Sequence, residues 1–387
     1  MAEEAQVGWC IEGAKIVELC QRGDKLLEDE IAKVYKGKKI SKGIGHPTTV
    51  SPDSYITPYT PLLSDPEEAE TKLKAGEFVK IQLGAQIDGF GTIVCDTVVI
   101  PSKQNEGNQI LNRQADLLLA THWANELLLR VMLPPGLLAS GTEEERKKAA
   151  ASQKQFTQAK INQLLEKVAK SYDCSIVEST TCWLFERNEI EGKKKIILSP
   201  GEGVKGEGLP EVGDVWGVEI GVSLGTGKVK TLSNRPTLHR RTTTTYGLKR
   251  PSSRATLSEI VKKFGQFPFS LRQLDDERAA KVGVVECVRG NVLRQYEVIG
   301  DRDNESVARL FTTVAITKNG LTRLSAPPDP DLSIYKTDKK ITDEEVLKIL
   351  EQPIAKNTGS KSKNKKKKKK ASRKADDEDE GESSEEE

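Results

Sequence analysis

The stretch KIQLGAQIDGFGTIVCDTVVI, residues 80–100, decides the fold. Two apolar strands rich in β-branched residues flank Asp88 and Gly89, which favour a tight hairpin because glycine tolerates positive φ and aspartate bonds its own backbone. Side chains that point inward from such a hairpin can contribute to one shared site. The hairpin has the shape of a metal-binding one, yet Gln82 and Ile93 stand where carboxylate ligands would be expected.

Helical and strand patterns alternate around this hairpin and predict an α+β fold. Helices are predicted at residues 24–36, at 117–131, and as one long helix after the capping pair Thr142 and Glu145. Thr256 and Glu259 predict the start of a shorter helix that Gly265 can end. Strands are predicted at residues 78–85, 91–100, 214–224 and 306–317.

Composition favours a globular protein inside the cell. The chain has 387 residues, of which 36% are hydrophobic, and six scattered cysteines without a CxxC pair. This cysteine pattern argues against a disulfide framework and a structural zinc site, and it favours buried free thiols. The acidic start MAEEAQVGW and the absence of a long apolar run predict neither a signal peptide nor a membrane span, so no membrane partner is expected.

Charge divides the chain into two predicted regions. Residues 1–355, the predicted folded domain, contain 49 basic and 49 acidic side chains. Residues 356–387 contain 11 Lys or Arg followed by 9 Asp or Glu. Runs of like charge without apolar residues bury too little surface to offset ordering entropy, so this second region is predicted to be a disordered tail.

Six separated motifs carry a family resemblance. They are KGIGHPTTVSP, PLLSDPE, EVGDVWGVEI, FPFSLR, VGVVEC and the lysine-rich C-terminus, in this order. With KIQLGAQIDGF, they resemble a non-catalytic branch of the methionine aminopeptidase superfamily: the proliferation-associated proteins that bind ErbB receptors, and the related curved-DNA-binding proteins. The resemblance runs from about Gly13 onward and implies a pita-bread fold, with two αβ halves around a central antiparallel sheet and a helical insertion. It also implies an N-terminally shortened first half.

The resemblance assigns this chain the positions of a former metal site. The aminopeptidases hold two divalent ions with two Asp, one His and two Glu, and the matching residues here are Gln82, Ile93, Trp183, Glu219 and Phe311. Pro58 replaces the histidine that positions the substrate in those enzymes. One carboxylate cannot hold two divalent ions, because Trp, Ile and Phe offer no ligand atoms. The resemblance therefore implies no metal, no cofactor and no peptidase activity.

The residue types at the former metal-site positions also predict their present roles. We expect Glu219 to have an arginine or backbone partner, and Ile93, Trp183 and Phe311 to fill the old metal cavity. His122 and His239 are expected to be structural or surface residues.

Residues 220–257 contain eight basic side chains and no acidic one. Arginines mixed with hydroxyl groups and a tyrosine are typical of surfaces that bind phosphates and stack on unpaired bases. The predicted nucleic-acid contacts in this stretch are Arg240, Arg241, Lys249, Arg250 and Arg254. A solvated loop without a ligand is the alternative.

The tail predicts a second nucleic-acid contact, through Lys361, Lys363, Lys365, Lys366, Lys367, Lys368, Lys369, Lys370, Arg373 and Lys374. Such a run can neutralise several phosphates without reading sequence. A nuclear or nucleolar import signal is the competing interpretation, and both can coexist. The acidic end, with Ser383 and Ser384 as phosphorylation candidates, either regulates this contact or only solubilises the chain.

These features together predict a non-catalytic protein that binds RNA in ribosomal particles, with curved DNA as an alternative ligand and further protein partners. The resemblance implies roles in ribosome biogenesis, translation or growth control, and a location in the nucleus, including the nucleolus, and the cytoplasm. Two other hypotheses stay open: an adaptor that holds a peptide in the old substrate cleft, and a residual metalloaminopeptidase.

Overall fold

The computed structural model describes residues 7–101, 109–139, 142–152 and 154–356. The helices are α1 (Ile16–Lys33), α2 (Pro66–Ala69), α3 (Asn112–Val131), α4 (Glu143–Ser152), α5 (Gln158–Lys170), α6 (Pro251–Phe264), α7 (Glu277–Arg289) and α8 (Glu344–Leu350). The strands are β1 (Lys42–Pro52), β2 (Phe78–Ile87), β3 (Phe90–Val99), β4 (Ile110–Leu111), β5 (Ser175–Ile176), β6 (Thr180–Phe185), β7 (Lys195–Leu198), β8 (Val215–Ser223), β9 (Val229–Thr231), β10 (Leu238–Arg241), β11 (Phe269–Ser270), β12 (Leu293–Gln295), β13 (Ile299–Asp301), β14 (Val307–Thr317), β15 (Gly320–Ser325) and β16 (Tyr335–Lys336).

A nine-stranded antiparallel sheet runs through the centre in the order β1-β2-β3-β14-β8-β6-β7, with β15 on β14 and β5 on β8. The predicted hairpin joins β2 to β3, and its turn residues Asp88 and Gly89 have φ of 53° and 81°. The four predicted strands are confirmed as β2, β3, β8 and β14, with small shifts at their ends. Together with the helices, this sheet forms the predicted α+β pita-bread fold.

Helices α3 and α5 cover one face of the sheet. Their buried side chains, among them Leu127 and Leu164, share a core cluster with Trp216 of β8 and Val314 of β14. The predicted helix at 117–131 is confirmed as the larger part of α3. Helix α1 begins earlier than predicted, at Ile16, and buries Ile16 and Leu19 in a second cluster with β1 and β2.

The single long helix predicted after Thr142 is wrong. The capping pair is present, because the Thr142 N–H donates to Glu145 (2.6 Å) and the Glu145 N–H donates to Thr142 Oγ1 (3.3 Å). Helix α4 nevertheless ends at Ser152, and Thr157 begins α5 as a second N-cap that accepts from the Lys160 N–H (3.2 Å). A second capping residue thus divides the predicted helix into two.

The connection from β8 to β14 carries a separate layer. In it, α6 and α7 pack on the small sheet β11-β10-β12 around Ile260, Phe269 and Cys287. We call residues 238–295 the two-helix layer. Helix α6 ends at Gly265 as predicted but begins at Pro251, before Thr256, because proline suits the first helical turn.

One buried ion pair fastens the two-helix layer to α1. Arg272 Nη1 donates to Asp24 Oδ2 (2.7 Å), and Arg272 Nη2 donates to the Thr48 carbonyl (3.1 Å). All six cysteines lie in the described residues, where they are buried and not joined by disulfides. No helix in the described part of the chain is both long and apolar enough to span a bilayer. The predicted tail and all its lysines lie outside the described residues, apart from Lys356.

Candidate functional site

A cavity of about 310 Å³ lies on the central sheet, and we call it the cleft. Its walls include all six positions that the resemblance assigned to the former active site: Pro58, Gln82, Ile93, Trp183, Glu219 and Phe311. These residues come from strands β2, β3, β6, β8 and β14 and from the segment before α2. Six residues from distant parts of the sequence therefore meet in one place, as the resemblance implied.

A chain of hydrogen bonds crosses the base of the cleft. Arg309 Nε donates to Glu219 Oε1 (2.8 Å), and Arg309 Nη2 donates to Gln82 Oε1 (2.9 Å). Gln82 Nε2 in turn lies 3.0 Å from His46 Nε2. We call Glu219, Arg309, Gln82 and His46 the polar chain. The arginine partner expected for Glu219 is therefore Arg309, which precedes Phe311 on β14.

The hydrogen bonds of the polar chain define the proton positions. Because Gln82 Oε1 accepts from Arg309, its amide nitrogen donates, and His46 Nε2 must accept. The proton of His46 then lies on Nδ1, which donates to the Pro47 carbonyl (2.8 Å). Burial, reinforced by the nearby Arg309 cation, lowers the pKa of His46 to about 4. His46 is thus a neutral acceptor at physiological pH.

Apolar side chains form the upper wall of the cleft. Phe185 and Phe311 lie with ring centroids 6.2 Å apart, and Ile93, Ile190 and Phe267 pack around them. A Cβ at position 217 would lie within 2.6 Å of both rings, so only glycine fits there. Ile93, Trp183 and Phe311 line the cavity as predicted, but they leave it open instead of filling it.

The residues of the cleft do not fit a pair of divalent metal ions. Glu219 is the one carboxylate at a former ligand position, and the Arg309 guanidinium already bonds it. A fixed positive charge at this point repels a dication, and amide, indole and hydrocarbon groups supply no compensating negative charge. In the part of the chain that the structure describes, no three His, Cys, Asp or Glu side chains come together to hold a metal.

One of the predicted nucleic-acid contacts, Arg240, pairs with Glu191, which lines the cleft. Arg240 is buried, forms an ion pair with Glu189, and donates Nη2 to Glu191 Oε2 (3.1 Å). Glu191 also accepts from the Tyr296 hydroxyl (2.7 Å) and pairs with Arg294. The charge of Arg240 is therefore used inside the protein, which the sequence pattern did not indicate.

Three other predicted contacts lie together on the two-helix layer. Lys249, Arg250 and Arg254 are exposed, and no carboxylate within the described ranges pairs with any of their side chains. Glu286 of α7 accepts from the backbone N–H of Lys249 (2.7 Å) and of Arg250 (3.0 Å), which holds the loop in place. Arg254 Nη1 donates to the carbonyl of Lys249 (2.8 Å).

An exposed aromatic ring belongs to the same surface. Tyr246 is 50% exposed, and its ring lies against Gly290, the residue after Arg289 at the end of α7. We call Tyr246, Lys249, Arg250, Arg254 and Arg289 the basic surface. Arg241, at the end of β10, is only partly exposed and precedes this loop.

The other basic residues of 220–257 do not share that surface. Lys228 pairs with Glu178 (2.9 Å) and Arg235 with Asp65 (3.1 Å). Three of the eight basic residues of the stretch therefore form ion pairs within the protein, and three others form one exposed group. Lys361 and the other basic tail residues that were predicted to bind nucleic acid lie outside the described residues.

The central sheet and its cleft define the class: this is a pita-bread protein of the aminopeptidase-like kind. A curved DNA-binding protein of Schizosaccharomyces pombe is 38% identical over 358 residues, covering 92% of this chain and 87% of the relative. An ERBB-3 binding protein 1 of Solanum tuberosum is 32% identical over 359 residues, covering 92% and 85%. The chain belongs to this family of proliferation-associated, ErbB-3-binding and curved-DNA-binding proteins, as its motifs indicated.

A solved structure described as a thermophilic Arx1 is 66% identical to this chain, covers 92% of it and 95% of its own length, and superposes with a TM-score of 0.89. A protein of Schizosaccharomyces pombe named probable metalloprotease arx1 is 23% identical over 378 residues, which is 86% of each chain. No profile of a known protein family matches the chain.

Proposed function

We propose that this protein is a non-catalytic member of its family that binds RNA in ribosomal particles through the basic surface of the two-helix layer. The observation that carries the proposal is the exposed group Lys249, Arg250 and Arg254 beside Tyr246, without carboxylate partners in the described residues. Arginine and lysine bond phosphate oxygens, and an exposed tyrosine can stack on an unpaired base. This combination favours single-stranded or looped RNA over a regular duplex, whose bases are already stacked.

The polybasic run from Lys361 to Lys374 adds a second, sequence-independent contact in this proposal. The basic surface would fix the orientation of the protein on the RNA. The polybasic run, which is tethered to that surface, would raise the affinity for RNA because its effective concentration near the bound RNA is high. The acidic residues that follow would compete with nucleic acid for the same lysines. We further propose a role in ribosome biogenesis or translation, in the nucleus, including the nucleolus, and in the cytoplasm.

Binding to large ribosomal subunits at a series of salt concentrations tests the RNA contact. If roughly six to eight phosphates are neutralised, affinity should fall about 10³- to 10⁵-fold between 50 and 200 mM salt. The combined variant Lys249→Gln, Arg250→Gln, Arg254→Gln should reduce the slope of log affinity against log salt by about 3. The control variant Lys25→Gln, Lys170→Gln, Lys348→Gln removes the same charge from α1, α5 and α8.

Two outcomes of this experiment contradict the proposal. Equal losses in the two triple variants would show that only net charge matters, and a flat salt dependence would show that phosphate contacts do not hold the complex. Deleting residues 356–387 separates the two contacts, because the basic surface should retain salt-dependent binding without the tail. Curved and straight DNA of equal length, used as competitors, distinguish RNA from curved DNA as the ligand.

The absence of peptidase activity is part of the same proposal. It rests on the residues of the cleft, where Arg309 neutralises Glu219 and four of the five former ligand positions have no acidic or imidazole group. Metal analysis of the purified protein, with a peptide-cleavage assay in added cobalt, manganese or zinc, tests it. Two bound ions per chain together with cleavage would overturn it.

A peptide-binding cleft is the second candidate function. Arg309 is 3% exposed, and its Nη1 has no hydrogen-bond partner in the described residues, although the side chain lines an open cavity with apolar walls. A backbone carbonyl or carboxylate of a bound peptide would satisfy this donor. Peptides that are recovered after nuclease treatment from the wild type, and not from a Thr181→Phe variant whose ring would occupy part of the cleft that Thr181 lines, would favour this function.

A further inference from the structure

A second cavity, of about 390 Å³, lies on the opposite face of the central sheet. On β14, Arg309 and Phe311 line the cleft, whereas Leu310 and Thr312 line this second cavity. Alternate residues of a strand point to opposite faces, so the sheet separates the two cavities. We call this space the outer cavity. Helix α3 forms its far wall, and the segment 326–335 covers it.

The walls of the outer cavity are mainly hydrocarbon. They include Val98 of β3, Leu118 of α3, Leu310 of β14 and Ile334 of the covering segment. The covering segment contains Pro327, Pro328 and Pro330, and is anchored where β16 pairs with β4. Prolines restrict the backbone, so the cover has few alternative conformations to lose when a ligand binds. Cavities of this size and composition are typical of sites for small molecules.

Negative charge predominates among the polar groups of the outer cavity. Four carboxylates line it, those of Asp96, Glu126, Asp329 and Asp331, against the one guanidinium of Arg323. His122 also lines it, but burial lowers the pKa of His122, so its ring adds no charge at pH 7. The lining therefore favours a cation over an anion or a neutral molecule.

Two of the four carboxylates, those of Glu126 and Asp329, already have cationic partners. Glu126 forms ion pairs with Arg323 and with Arg130 (2.8 Å), and Asp329 lies 3.7 Å from Arg323. Asp331 Oδ1 accepts from the Ser333 N–H (3.0 Å) at the start of a short helical turn. Arginines thus partly neutralise Glu126 and Asp329, and Asp331 is exposed to solvent.

Asp96 differs from these three groups, because it is partly buried and has no cationic partner in the described residues. Its Oδ1 accepts from the Thr97 N–H (2.8 Å), and no cationic side chain of the described residues pairs with it. Burial raises the pKa of the Asp96 carboxyl to about 6. Asn125, 6% exposed, lines the same cavity, and its Oδ1 has no hydrogen-bond partner in the described part of the chain. A partly buried carboxylate without a counter-ion is unfavourable, so a cationic ligand would stabilise it.

We propose that the outer cavity binds an organic amine, with the ammonium group on Asp96 and a hydrocarbon stem between α3 and the sheet. The ammonium donates one hydrogen bond to the free Asp96 oxygen. It donates another to Asn125 Oδ1 once the side-chain amide of Asn125 has rotated. Leu118, Leu310 and Ile334 contact the stem. Neither the RNA contact nor the cleft takes part in this site, so it stands independently of the proposed function.

Calorimetric titration of the full chain with hexylamine and with hexanol, at pH 7.5, tests the site. The two probes share their stem and differ in charge. Hexylamine should bind at least tenfold more tightly than hexanol, and Asp96→Asn should weaken hexylamine about 10- to 100-fold, which is the range for a hydrogen bond to a charged group. Asp329→Asn, which removes an exposed carboxylate from the mouth of the same cavity, should change the affinity less than threefold.

Thermal unfolding of each variant confirms that it is folded before titration. Equal affinity for the amine and the alcohol, or unchanged hexylamine binding by Asp96→Asn, would overturn the proposal, as would no binding of either probe at millimolar concentration. A third probe, a short peptide with one lysine, identifies the source of the amine. Tighter binding of the peptide than of hexylamine assigns the site to a lysine side chain of a partner, and weaker binding assigns it to a free amine.

Discussion

The cleft and the basic surface hold arginines in opposite situations. In the cleft, Arg309 is buried and bonds Glu219 and Gln82, so its charge stabilises the interior. On the basic surface, Lys249 and Arg250 project from a loop that is fixed through backbone N–H groups, and their side chains stay available to a ligand. The difference shows that the count of positive charges in a stretch says little about binding until each partner is known.

The largest effect is expected from breaking the buried pair in the cleft. Arg309→Met keeps the length of the side chain but leaves Glu219 and Gln82 without their donor. The free energy of unfolding should fall by about 3 to 5 kcal/mol, the usual cost of an uncompensated buried charge. Urea unfolding measures it, with the exposed Arg302→Met as control. A loss below about 1 kcal/mol would show that the pair is solvated in solution.

A pH titration examines the other end of the polar chain. Because the folded pKa of His46 is about 4, below the ordinary value of 6.5, the unfolded chain binds a proton first as the pH falls. Stability should therefore be full above pH 6.5 and decline toward pH 4, by roughly 3 kcal/mol.

His46→Gln should lack this component of the pH dependence. The measurement is urea unfolding of both proteins between pH 7 and pH 4. Parallel curves for the two proteins would show that His46 is not buried as a neutral acceptor.

An intermediate effect is expected at the aromatic member of the basic surface. Tyr246→Ala should weaken RNA binding by about 1 to 3 kcal/mol, the range for one stacked base, and should leave the salt slope unchanged because no charge is lost. Tyr246→Phe, which keeps the ring, should retain affinity and serves as the matched control. Equal losses in the two variants would assign the effect to the hydroxyl group instead.

The smallest effect is expected on the stability of the fold when charges are removed from the basic surface. Lys249→Gln together with Arg250→Gln should change the free energy of unfolding by no more than about 0.5 kcal/mol, because these side chains have no carboxylate partner in the described structure. Urea unfolding beside a binding measurement checks this. A loss near that of Arg309→Met would mean that the surface charges serve the fold and not a ligand.

Local patterns predicted much of the architecture. The β2–β3 hairpin follows from Asp88 and Gly89 between two apolar strands, and four of the five strands that supply the cleft, all except β6, were located from their β-branched residues. The family motifs then placed Gln82, Ile93 and Glu219 in one site, and the structure brings them together. The hairpin and the strands depend on interactions between residues close in sequence, and the cleft residues were placed by motifs that occur in the same order as in the family.

Long-range contacts explain what the sequence missed. Glu219 was expected to have an arginine partner, but the choice of Arg309 depends on the register in which β14 pairs with β8. Arg240 was assigned to nucleic acid because its neighbours in the chain are basic, whereas Glu189 and Glu191, which pair with it, come from the turn after β6. The predicted long helix is two helices because Thr157, which lies inside the helical pattern, caps the start of the second one.

The connection that carries the two-helix layer leaves and re-enters the central sheet at one point. Ser223 at the end of β8 is paired with Val307 at the start of β14, so the whole excursion between them closes on two hydrogen-bonded neighbours. The entropic cost of closing such a loop grows only slowly with its length. Insertions, deletions and changes of charge in the exposed loops of this connection can therefore accumulate during evolution while the register of the central strands stays the same.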